Sequence, residues 1–131
     1  MLSVIGKVNK RLQEQLKTNE DAPYYDKALE FTSVSNGTPT KFPTLSVVSL
    51  GDIDSDSSFE HDQHEAIWST IELKAYSNTT MQDCTKLLNS AGDVMYSMFY
   101  DRTYENTLSD VKPFCKVARY RRKVGNEDNL Y

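Results

Sequence analysis

The chain is poor in the residues that usually carry chemistry. It has two cysteines, Cys84 and Cys115, far apart and without a CxxC pair. A zinc site built from short ligand pairs is therefore excluded. There are only two histidines, and HExxH, G-x-S-x-G and a Gly-rich phosphate loop are all missing. No apolar run approaches the roughly 18 residues of a membrane-spanning helix, so no membrane partner is expected. Met1–Lys7 lacks the continuous apolar stretch and cleavage site of a secretory signal. The expectation is folding in a reducing cytoplasm, with both cysteines as buried free thiols. A basic excess is missing too: the net charge is −4. That argues against sequence-independent nucleic-acid binding by the surface as a whole.

What is present patterns well. The stretch Ile67–Tyr76 alternates: Ile67, Ile71, Leu73 and Ala75 against Trp68, Thr70, Glu72, Lys74 and Tyr76. A period of two predicts a strand with one buried and one wetter face. Asn78-Thr79-Thr80 then offers turn and N-cap chemistry. Beyond it, Cys84, Leu87, Leu88, Ala91, Met95, Met98 and Phe99 recur at spacings of three and four. That stripe predicts a helix over about 80–99 with one face on a core.

The rest of the chain is organised around this unit. Leu2, Ile5, Val8, Leu12 and Leu16 keep to one side of an N-terminal helix over 2–17, lying on a surface. Residues 28–34 can hold a short strand, and Ser35–Pro39 is a turn. Phe42–Leu50 reads as a strand with Pro43 at its start. An acidic loop, Gly51–Glu65, links it to the 67–76 strand as a long hairpin. Tyr100–Asn106 reads as a polar aromatic connector, and Val111–Val124 as the final strand, bent at Pro113. The expectation is one α+β domain over 1–124, a mostly antiparallel sheet of about four strands packed with two main helices. Residues 125–131 form a polar tail.

The acidic loop opens with Asp52, Asp54 and Asp56, the alternate carboxylates of a calcium loop. However, Ser57 stands where a tight-turn Gly is required and Gln63 where a bidentate Glu is required. A solvated hairpin loop is the better reading. His61 and His64 lie in the same polar loop with no third metal ligand indicated. A His64–Cys84 dyad is opposed by the place of Cys84 on a core-facing stripe, since a nucleophilic thiol needs exposure. No enzymatic constellation emerges.

Lys116, Arg119, Arg121, Arg122 and Lys123 surround Tyr120 in one strand-like run. The run supports three readings. It can be a nucleic-acid strip with Tyr120 as a stacking group. It can meet the acidic loop of a neighbouring copy, through Asp52, Asp54, Asp56, Glu60 and Asp62. Or it can be a strand edge guarded by charge against aggregation. Trp68 and Tyr76, on the non-core face of their strand, call for a covering helix or a partner protein. The N-terminal helix is one candidate cover.

In order and length, these elements resemble the tail terminator (tail completion, or head–tail joining) proteins of tailed bacteriophages. The likeness rests on the early amphipathic helix, the Phe42-Pro43-Thr44-Leu45-Ser46-Val47 strand opening and the polar loop into Ile67–Tyr76. It also rests on the helix after Asn78-Thr79-Thr80 and on the closing Val117-Ala118-Arg119-Tyr120-Arg121-Arg122. Residues 21–41 and the tail after Gly125 are outside it. The resemblance implies a structural virion protein made in the host cytoplasm and built into the tail or neck. Such a protein forms a homohexameric ring that ends the tail tube and docks to the head connector or stopper, with DNA passing near the lumen. No cofactor, metal or catalytic residue is implied. Neck stoppers are related in role but resemble small β-barrels, which two substantial helices argue against.

Overall fold

The computed structural model describes residues 4–18, 29–32, 41–54 and 66–125. Within them lie helix α1 (Val4–Gln13), continued by a π-helical turn (Glu14–Thr18), and helix α2 (Met81–Ser97). Five strands follow the order β1 (Glu30–Thr32), β2 (Thr44–Asp54), β3 (Ala66–Ser77), β4 (Asp101–Ser109) and β5 (Phe114–Gly125). They form one sheet, β1-β2-β3-β5-β4, antiparallel except for the short β1–β2 pair. The fold is α+β, with five strands where about four were expected.

Both helices lie on one face of the sheet. Val8, Leu12 and Leu16 of the N-terminal helix share a core with Leu45 and Val47 of β2, Ile71, Leu73 and Ala75 of β3, and Ala118 and Tyr120 of β5. The α2 stripe Cys84, Leu87, Leu88, Ala91 and Met95 closes it. Register explains the sharing: Val47 stands opposite Leu73, and Leu73 opposite Ala118, so these apolar side chains project to the same side. The N-terminal helix does not cover Trp68 and Tyr76, because it packs beside α2.

Capping sets where α2 begins and ends. Thr80 is the N-cap, its hydroxyl accepting from the Asp83 N–H at 3.0 Å. At the other end, the Phe99 N–H donates to the Tyr96 carbonyl at 2.9 Å and the Tyr100 N–H to the Met95 carbonyl at 3.0 Å. This crossed pair of bonds is a Schellman motif. It holds Phe99 at φ 64° and turns Tyr100 inward, where its hydroxyl meets the Ser69 hydroxyl at 2.8 Å in the buried core.

Three expectations are corrected here. Tyr100–Asn106 is no connector: Tyr100 is fully buried and Asp101–Ser109 is the edge strand β4. Phe99 leaves the α2 stripe and is 76% exposed, because the helix has ended and its backbone is left-handed. The 42–50 strand also runs on through Gly51–Asp54, past a register shift between Ser49 and Asp52.

Candidate functional site

The basic run lies on β5, which is an interior strand between β3 and β4, not a sheet edge. The reading of a charge-guarded edge is therefore overturned, since Asp101–Ser109 takes the edge instead. Strand alternation also divides the run between two faces. Lys116, Tyr120 and Arg122 lie on the helix side. Lys116 reaches the Thr85 hydroxyl of α2 at 3.3 Å and the Glu105 carboxylate at 3.7 Å. Arg122 donates to the Met98 carbonyl at 2.7 Å, tying down the C-terminal end of α2.

Tyr120 is fully buried, so it offers no stacking platform. Its hydroxyl accepts from Arg102 Nε at 3.1 Å and Nη2 at 2.9 Å, and its ring meets Tyr96 edge-on at 6.0 Å between centroids. Burial raises its pKa, partly offset by the Arg102 hydrogen bonds. Gly92 makes this arrangement fit, because a Cβ there would stand 2.6 Å from the Tyr120 hydroxyl oxygen.

Arg119, Arg121 and Lys123 lie on the other face with Trp68, Glu72, Lys74, Tyr76, Cys115 and Val117. Arg119 donates to Glu72 at 2.9 Å, and its guanidinium stands 4.9 Å from the Tyr104 ring centroid. Lys74 approaches Glu72 at 3.8 Å. Arg121 lies 4.3 Å over the half-buried Trp68 ring. Tyr76 is buried, its hydroxyl pushed up to about 12 by burial and then by Cys115. Much of this basic strand is thus partnered within the chain.

Of the acidic residues, Asp52 and Asp54 belong to β2, opposite Ser69 and Ile67, and not to a loop. Asp56, Glu60 and Asp62, with His61 and His64, lie outside the described residues. Among the described residues no group of three or more His, Cys, Asp or Glu could hold a metal. Both cysteines are free and buried. Cys84 donates to the Ala75 carbonyl at 2.9 Å, and burial pushes its thiol up to about 11. A thiol protonated at neutral pH and sealed in the core is no nucleophile.

Sequence reasoning missed the surface that stands out most. Among the described residues β4 is the terminal strand of the sheet, with no strand paired on its outer side, and it is exposed over nearly its whole length. Tyr104, Leu108 and Val111 are large apolar side chains exposed along it and its turn into β5. Tyr104 and Leu108 also line a depression of about 210 Å³ on the outer sheet face, with Glu72, Lys74, Val117 and Arg119. At the opposite, helix side, Phe99 and Tyr96 are the other exposed large aromatics among the described residues. No described helix is long and apolar enough to cross a membrane. In comparisons with known proteins, no family model and no curated protein matches this chain.

Proposed function

We propose that this protein is a structural assembly protein of a tailed phage, a tail terminator that forms an oligomeric ring ending the tail tube and joining it to the head connector. The resemblance in element order supplies the phage setting. The observation that carries self-assembly is the exposed β4 edge with Tyr104, Leu108 and Val111 along it. Free strand edges are templates for pairing, and exposed apolar clusters beside them mark interfaces. Scaffold and contact surface are then separate: the helix-covered face holds the fold, and the outer face and β4 meet other copies. In this reading Arg119 is engaged with Glu72 in its own chain rather than with another copy.

Mass in solution, followed across a concentration series with images of the same sample, tests this. A discrete ring-shaped oligomer, formed alone or on added tail tubes, is expected. A strict monomer that also ignores tail tubes would refute it. Should that monomer bind DNA or RNA with a steep salt dependence, the outer-face cations would be the place to look.

A further inference from the structure

The outward cations of β5 recur at alternate positions, Arg119, Arg121 and Lys123, and all three are exposed. Alternate residues of a strand project from one face at intervals of roughly 6.4–6.8 Å. That repeat is close to the spacing of successive phosphates along an extended nucleic-acid strand. On the outer face of β3, β4 and β5, Lys74, Arg119, Arg121 and Lys123 stand against Glu72 and Asp101. Glu72 is taken up by Arg119 and Lys74, which leaves Asp101 to face Arg121 and Lys123. Arg121 adds a second feature. Its guanidinium lies 4.3 Å over the Trp68 ring, a partner that holds the group without neutralising its charge. Trp68 is half-buried beneath it while Arg121 is exposed. A guanidinium held this way can stack a base and offer its N–H edge to a phosphate.

We propose that this corner of the outer face, Trp68, Arg121 and Lys123 with Arg119 beside them, binds single-stranded nucleic acid. The cations meet the phosphodiester backbone, and the Arg121–Trp68 stack takes a base. An acidic protein segment would supply charge but no base to stack, so the stacked pair favours the nucleic acid. The corner lies clear of the surface assigned above to contacts between copies. β4 begins at Asp101, opposite Arg121, so Lys123 and its register partner Trp68 stand past the end of that strand. The chain as a whole carries a net charge of −4. Binding is therefore local and modest, in the roughly 10⁻⁴–10⁻⁶ M range of sequence-independent contacts.

The test is a titration of the full chain with oligothymidylate over a salt series. Trp68 is the only tryptophan, so its emission reports on the corner itself. Binding should change that emission, and log K against log salt should slope by about −2, as for three phosphates neutralised on a single strand. Arg121→Glu with Lys123→Glu should weaken binding by about tenfold or more. Arg121→Gln with Lys123→Gln, a milder change for the fold, should weaken it in the same direction. Lys10→Glu with Lys86→Glu, at exposed positions on the two helices, alters the net charge as much as the first pair. It should change binding by less than about twofold, since those charges are distant and screened. Equal loss from the two charge-reversed pairs would mean a field without a site and would overturn the proposal. So would binding that leaves Trp68 emission unchanged, no binding at low salt, or poly-glutamate held as tightly as oligothymidylate. The site does not depend on ring formation, and failure of either leaves the other standing.

Discussion

The two faces of the same sheet are built on different terms. On the helix side, Ile71, Leu73 and Ala118 are fully buried against α1 and α2, and several of the polar groups admitted there have specific partners. Ser69 meets Tyr100, Tyr120 meets Arg102, and Arg122 meets the Met98 carbonyl. On the outer side, apolar side chains are interleaved with charges. Glu72 lies between Lys74 and Arg119, and guanidinium groups lie over Tyr104 and Trp68. The first face spends its residues on a single packed state. The second keeps apolar area at the surface under a cover of ion pairs and cation–π contacts.

Substitutions should separate the two faces sharply. Leu73→Ala, at a fully buried position, is expected to cost about 2–5 kcal/mol through lost burial and the cavity left behind. Leu108→Ala on the outer side should change stability by no more than about 0.5 kcal/mol. Denaturant unfolding of both variants measures the contrast, and comparable losses would erase it.

A smaller effect is expected from Gly92→Ala. Its new Cβ would stand 2.6 Å from the Tyr120 hydroxyl and 2.8 Å from Arg102 Nη2, so overpacking should cost about 1–3 kcal/mol. Pairing it with Tyr120→Phe, which removes the crowded oxygen, should recover part of that loss. Arg119→Ala should cost less, about 1 kcal/mol. It leaves Glu72, only 7% exposed, with Lys74 alone, but Arg119 itself is half-exposed to solvent.

The pH response has a definite sign. Burial raises Cys84 from 9.0 to about 11 and Tyr76 from 10.0 to about 12. Each group favours the folded state while it stays protonated. The unfolded chain loses these protons first, so it binds fewer protons than the folded chain between the two values. Stability should therefore be fully present below pH 9.0 and fall as pH rises toward about 12. Cys84→Ala should flatten the lower part of that fall, seen in melts across the alkaline range. Phe99→Gly should also change stability little, within about 1 kcal/mol, because relief of a left-handed backbone and the greater unfolded-state freedom of glycine nearly cancel.

How much of this was legible in the sequence follows from burial. β3 and α2 were readable because each hides one face, which writes a period of two or of 3.6 into the chain. An N-cap within Asn78-Thr79-Thr80, which proves to be Thr80, and both buried cysteines were readable for the same local reasons. β4 was not, because an exposed edge strand has no buried face to impose alternation. Its only regular hint is Arg102, Tyr104, Asn106 and Leu108 against Thr103, Glu105 and Thr107. Phe99 continued the helical spacing past the point where a Schellman turn had already ended the helix, so periodicity placed it inside. The basic run read as one strip because its residues are contiguous. Strand alternation and the arrival of β4 on its far side could be seen only once the sheet order was known.

The most direct test of the account is to add the purified protein to polymerising phage tail tubes and measure tube length by electron microscopy. The account predicts that growth stops and that ring-shaped density caps one end of each tube. Tubes that lengthen unchanged, with no added density at either end, would contradict it.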